Sequence, residues 1–356
     1  MIKTATITFQ NANNYGALLQ AYALQRCLIN LGVQNHVLNY KCNYMGKPYG
    51  IAALKRKGLI RFFLGIAYYI VRLPRRAKFT ELRSKMNYTK ILKREDLFDL
   101  NQKYDFFISG SDQVWNDGIT NLDPSFFLDF VNTGEKKLSY AASFGFEEIS
   151  ENLKSKYKKL LSDYSFYNMR ESSGVNIIKD LFNKKANQVL DPTLLLTQKD
   201  YDEITNFPKI QEKYILVYQT TISSFLLDSV KKISKITGYK IVTIPFPLGR
   251  FIKSKTNFSA GPKEWLGLFR NAEIIVTDSF HGCCFSILYN KNFHVCITGA
   301  GTRIYNLLSI FDLNHYLLRP GSDLDIDYKI DWNKINKKIN FERNKSISVI
   351  KKMLKI

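Results

Sequence analysis

Short apolar stretches with strand character alternate with segments that repeat apolar residues at helical spacing. Thr4 to Phe9 alternates and is rich in β-formers, and Gln10 to Gly16 is a polar loop. Ala17 to Leu31 then places Leu18, Leu19, Tyr22, Leu28 and Leu31 at helical spacing before Gly32. Val33 to Tyr40 reads as the next strand. A β-α-β order of this kind implies parallel strands joined by a right-handed crossover. The pattern recurs with strands at Tyr104 to Ser109, Leu138 to Ala142 and Ser165 to Met169, and a helix at Glu151 to Leu161.

Asp191-Pro192 interrupts any regular element, and a second series follows it. Strands are expected at Tyr214 to Gln219, Lys240 to Ile244, Glu273 to Thr277 and Phe293 to Ile297. Helices are expected at Ser224 to Thr237, Pro262 to Asn271, His281 to Tyr289 and Arg303 to Phe311, and the charged stretch from Trp332 to Ile356 reads as a terminal helix. The fold class is therefore α/β. The expected organisation is an N-terminal α/β domain over 1–195 with a basic and apolar insertion at about 51–79, a second α/β domain over 196–330, and a C-terminal helix over 331–356. In such sheets ligands bind at the carboxyl ends of the strands, so the residues just after each strand matter most.

Composition narrows the partner classes. A hydrophobic content of 45% over 356 residues excludes a disordered or fibrous chain. No run approaches the ~18 consecutive apolar residues of a membrane-spanning helix. The start, MIKTATITFQ, lacks the layout of a signal peptide, so a cytoplasmic location is expected. Cys27, Cys42, Cys283, Cys284 and Cys296 are odd in number and form no CxxC pair. They read as reduced core residues, with neither a disulfide framework nor a structural zinc site. A net charge of +21 draws anions, which leaves nucleic acid, an acidic membrane surface and phosphorylated substrates open. The basic residues are scattered and no recognised nucleic-acid module is present, so nucleic acid is not an expected partner.

Four strand ends carry candidate chemistry. After the first strand, Asn14 and Gly16 either build an anion site at a helix start or form an ordinary capped turn. After Ser109, Gly110 is followed by Ser111, Asp112, Gln113, Val114, Trp115 and Asn116, polar groups around an indole that suit a sugar or donor pocket, with Asp112 a base or a cap. After Thr277 come Asp278, Ser279, Phe280, His281 and Gly282. A histidine in the first turn of a helix faces a dipole that opposes a cation, while a bound phosphate or carboxylate favours one, which suits a proton donor or an anion ligand. Arg170 ends a strand and Arg303 heads a helix, and each offers a planar fork of donors to a dianion or, alternatively, to a neighbouring carboxylate such as Glu171. His36, His294 and His315 receive no role.

Taken together, NNYGALLQAYALQ, FFISGSDQVWN, YAASFG, MRE, LDPTLLL, GPKEWLGLFRNAEIIVTDSFHG and RIYNLLSIFDL resemble the polysaccharide pyruvyltransferase family in order and spacing over nearly the whole chain. The resemblance implies a fold similar to GT-B glycosyltransferases, two Rossmann-like domains facing a cleft, without a metal or redox cofactor. It implies transfer of the enolpyruvyl unit of phosphoenolpyruvate to a saccharide acceptor as a cyclic ketal. His281 and Asp112 then take the catalytic positions. Arg170, Arg303, Ser279, Gly282, Asn14 and Gly16 lie at the donor, and Trp115, Gln113 and Asn116 at the acceptor. A GT-B-type glycosyltransferase using a nucleotide sugar is the competing enzyme reading, and a catalytically silent scaffold the competing non-enzyme one.

The insertion adds a membrane expectation. Lys55, Arg56, Lys57, Arg61, Arg72, Arg75, Arg76 and Lys78 carry eight positive charges with no acid among them, around the apolar stretch Phe62 to Val71. This suits peripheral docking on an anionic leaflet near a lipid-linked acceptor, or else a helical hairpin packed on the first domain.

Overall fold

The computed structural model describes residues 1–42, 73–221, 223–244, 255–256, 259–299, 301–322, 324–326 and 328–356. They divide into two compact units. One is formed by the described residues within Met1–Val71, Arg83–Leu195 and Glu342–Ile356, the other by those within Arg72–Leu82 and Leu196–Phe341. Residues 51–72 of the basic insertion lie outside the described residues. Its end begins the helix Leu73–Arg83, where Phe79 and Leu82 are buried and Lys78 pairs with Glu264 at 2.9 Å. Lys78 is thus neutralised by an acid far along the chain.

The first unit is built on parallel strands in the order β3-β2-β1-β4-β5: β1 (Lys3–Ile7), β2 (Gln34–Tyr40), β3 (Tyr88–Leu92), β4 (Phe106–Ser109) and β5 (Lys137–Ser139). Two short strands, β6 (Asn168–Met169) and β7 (Asn187–Gln188), pair with each other, and the bridges Leu138 to Phe166 and Ala142 to Met169 join them to the β5 side. The strand order reverses between β1 and β4, which makes their carboxyl ends the topological switch point of this sheet. Helix Tyr15–Asn30 follows β1; Asn14 caps it, and Gly32 leaves it at φ +78°, a conformation that favours glycine. One core layer gathers Trp115, Phe127, Phe144 and Tyr157. The other collects Leu24, Leu28, Ile108 and Tyr140 with Ile350, Met353 and Leu354 from the end of the terminal helix Trp332–Leu354.

The second unit repeats the design. Its parallel order is β10-β9-β8-β11-β12-β13: β8 (Tyr214–Tyr218), β9 (Lys240–Ile244), β10 (Lys255–Thr256), β11 (Ile274–Thr277), β12 (Asn292–Cys296) and β13 (Leu317–Leu318). β8 and β11 are buried along their whole length, as central parallel strands covered on both faces must be. The switch point falls between them. Among the cysteines no pair is bonded, and burial pushes the Cys296 thiol up to about 12 and the Cys283 thiol higher still, as expected of unreactive core positions. Among the described residues no helix is long and apolar enough to cross a membrane.

His294, in β12, has a structural effect with a pH signature. It is buried with its ring edge-on to Tyr328, centroids 5.2 Å apart, and desolvation, partly opposed by Asp325, lowers its pKa to about 4. The folded form keeps the imidazole neutral, whereas the unfolded chain protonates near 6.5. Stability is therefore fully retained above pH 6.5 and lost as pH falls toward 4, by about 3 kcal/mol from this residue. Urea unfolding at pH 7 and pH 5 should show His294→Leu losing less on acidification than the wild type; equal losses would refute the assignment.

Candidate active site

In the second unit the loops after β8 and β11 are tied to one another. The backbone N–H and Oγ1 of Thr220 donate to Asp278 Oδ1 at 2.5 and 3.1 Å, and those of Thr221 to Oδ2 at 2.8 and 2.6 Å. One step back, Thr277 Oγ1 donates to the carbonyl of Tyr218 at 2.6 Å and accepts from Ser279 N–H at 3.0 Å. The turn from β11 into helix Phe280–Leu288 is thus fastened to β8 on both sides. Ser279 caps that helix, its Oγ accepting from Gly282 N–H at 3.3 Å. Gly282 lies against Thr277: a Cβ there would collide with Oγ1 and come within 3.1 Å of two further side-chain carbons. The close approach of helix to strand therefore explains the glycine.

His281 is thereby held in the first turn of a helix at the switch point, buried, its ring edge-on to Phe280 at 5.2 Å. Helix Thr302–Ile310 lies beside helix Phe280–Leu288, and Arg303 is its second residue, half-buried. His281, Ser279, Gly282 and Arg303 thus belong to one unit.

The first unit holds the other expected residues, several of them in different roles. Arg170, at the end of β6, is buried. Its Nε meets Glu171 Oε1 at 2.7 Å, and its Nη1 lies 3.1 Å from Asp191 Oδ2 and 3.7 Å from Asp112 Oδ1. Burial opposes its charge, yet Glu171, Asp191 and Asp112 together hold its pKa above the ordinary arginine value. The expected donor clamp is thus a guanidinium shared among three carboxylates. Asp191 also accepts from Ser111 Oγ at 3.0 Å and from Thr193 N–H and Oγ1 at 3.0 and 2.8 Å. Asp112 is the most open of the three acids, with 14% of its side chain accessible against 3% for Glu171 and none for Asp191. Its φ of +78° is strained for a residue with a side chain.

Trp115 departs from the acceptor-facing expectation. Its indole is fully buried, stacked on Phe127 and edge-on to Tyr164, with Nε1–H donated to the Phe126 carbonyl at 3.3 Å. Gln113 and Asn116 stay half-buried, joined by a 3.0 Å bond from Asn116 Nδ2 to Gln113 Oε1. Asn14 accepts from Ala17 N–H at 3.1 Å, the capped-turn alternative, and Gly16 is buried in the first turn of the helix it starts. The loops after β1 and β4 meet where Thr8 Oγ1 donates to the Ser111 carbonyl at 2.8 Å.

The profile of the family described as polysaccharide pyruvyl transferase matches residues 14–299. The chain belongs to that family. Its fold is GT-B-like. A glycosyltransferase from Rickettsia africae is 10% identical, with 99% of each chain covered and a TM-score of 0.56. A UDP-GlcNAc 2-epimerase from Methanocaldococcus jannaschii is 12% identical, with 97% of this chain and 93% of that one covered and a TM-score of 0.52. A shorter match, 26% identical over 132 residues, covers 35% of this chain and 67% of the probable GTP-binding protein EngB of Mycoplasma mycoides.

Three acids, two in the first unit and one in the second, escape a reading of the sequence. Asp191, in LDPTLLL, reads as a helix breaker because a proline follows it. Glu171 reads as a partner of Arg170 alone. Asp278 reads as part of a histidine motif, and only the pairing of β8 with β11 reveals its grip on Thr220 and Thr221. The signal for all three is one that sequence does carry: an acid within three residues of a strand end.

Proposed function

We propose that this protein transfers the enolpyruvyl unit of phosphoenolpyruvate to two hydroxyls of a sugar, in a surface polysaccharide or its lipid-linked precursor. The products are a pyruvate ketal and inorganic phosphate. The observation that carries the reading is the placement of His281 in a helix start at the switch point of the second sheet, in a chain of this family. A helix N-terminus presents N–H donors and positive potential to an anion, and an imidazole there is suited to contact phosphate or to supply a proton.

In the reaction, a proton reaches the methylene carbon of the donor and makes it a methyl, while one sugar hydroxyl loses its proton to a base and bonds to the adjacent carbon. The carbon–oxygen bond to phosphate breaks and phosphate leaves with the bonding pair. The second hydroxyl then closes the ketal, and its proton passes to a base or to the departing phosphate. His281 is assigned proton donation or phosphate contact, and Arg303 a second positive group for the anion. Asp112, open to solvent where Asp191 and Glu171 are closed, is assigned the deprotonation of a sugar hydroxyl, with Gln113 and Asn116 as acceptor contacts. Arg170 acts through Asp112: it holds that carboxylate in place.

The test is incubation with phosphoenolpyruvate and a panel of lipid-linked and free saccharides, scoring phosphate release and pyruvyl mass gain in the same sample. Both are expected with at least one acceptor. Transfer from a nucleotide sugar, with no response to phosphoenolpyruvate, would replace this reading by the glycosyltransferase one.

A further inference from the structure

Gln219 follows β8 directly and precedes the two threonines gripped by Asp278. It is 7% exposed, and its Oε1, closed off from solvent, has no hydrogen-bond partner among the described residues. A buried amide left unsatisfied destabilises a fold, and such groups persist where they serve something other than the fold. Two helices start at the same switch point: Ser224–Thr237, capped by Ser223 after β8, and Phe280–Leu288, capped by Ser279 after β11. Each leaves N–H donors that the helix itself cannot satisfy.

From this we infer that Gln219 contacts a small phosphate-bearing anion bound at the switch point of the second unit, and that Asp278 is the residue that positions it. A carboxamide presents a donor and an acceptor that exchange places by a half-turn of its terminal torsion. It can therefore donate Nε2–H to a phosphate or carboxylate oxygen, or accept from a singly protonated phosphate. Asp278 touches no ligand in this assignment. Its four hydrogen bonds fix the backbone of Thr220 and Thr221, and thereby the residue just before them. The inference deepens the proposed reaction by naming a donor-contacting residue on the loop facing the His281 turn.

The experiment uses the full chain and two probes, phosphoenolpyruvate and inorganic phosphate, with affinity read by calorimetry and stability by thermal unfolding. Gln219→Met keeps the length of the side chain and removes the unsatisfied amide. It should unfold no earlier than wild type while binding the probes about tenfold more weakly or worse. Asp278→Asn replaces an acceptor oxygen by a donor facing Thr221, and should weaken binding and lower the unfolding temperature together, whereas Asp278→Glu should recover part of the affinity. A Gln219→Met protein that unfolds earlier yet binds both probes as well as wild type would overturn the inference, as would a wild type that binds neither. If wild type binds phosphate but not phosphoenolpyruvate, the proposed reaction fails while the phosphate arm still decides the role of Gln219.

Discussion

Alanine in place of His281 is expected to slow phosphate release from phosphoenolpyruvate by about a hundred- to thousandfold, the ~2.7 to 4 kcal/mol that one pre-organised contact to developing charge contributes. The helix start should survive the change. Thr277, Asp278 and Ser279 fasten it through bonds that do not involve the imidazole. Circular dichroism should therefore match wild type while turnover collapses. Near-wild-type phosphate release would remove His281 from the chemistry and leave the family fold without the proposed donor site.

Arg170→Ala should behave differently, although the sequence suggests a similar loss of activity in an intact fold. The guanidinium is the shared counter-charge of Glu171, Asp191 and Asp112, two of which are closed off from water. Removing one partner of a buried ionic group strands the others and typically costs about 3–5 kcal/mol. The expected result is a large shift of the urea midpoint to lower concentration, with activity lost through unfolding of the first unit. Arg170→Lys, a point charge in place of a planar fork, should fall between. An Arg170→Ala protein with the wild-type urea midpoint and no turnover would return Arg170 to the role of a donor contact.

The contrast between these two residues marks how far the sequence could be read. Periodicity places nearly every central strand within two or three residues, because parallel strands buried on both faces must be continuously apolar, as YILVY in β8 and IIVT in β11 are. β3 is less legible, since an edge strand such as YTKIL leaves Ile91 exposed and breaks the apolar run. Helix Ser172–Phe182 is hidden by its Ser-Ser-Gly start, which resembles a loop until Gly174 is seen against Met169, where a Cβ would lie 2.9 Å from Cε. The helix start that holds His281 is legible because its surroundings are local. Arg170 is not, because Asp112 and Asp191 reach it from loops far along the chain. Trp115 fails for the same reason: polar sequence neighbours suggest a pocket, whereas Phe127, Phe144 and Tyr164 make its surroundings apolar.

The described residues pass between the two units four times, between residues 42 and 73 and near residues 82, 195 and 341. During synthesis, then, the first unit cannot close when residue 195 emerges from the ribosome. Ile350, Met353 and Leu354, which fill one of its core layers, lie more than 150 residues further along the chain. At about 5–20 residues per second they follow by roughly ten to thirty seconds. Through that interval Leu24, Leu28 and Tyr140 have no cover from the terminal helix, and the helix Leu73–Arg83 has no second unit to join. Fragments cut at residue 195 should inherit the same exposure permanently, so that the halves of this protein are expected to be soluble when coexpressed and to aggregate when made apart.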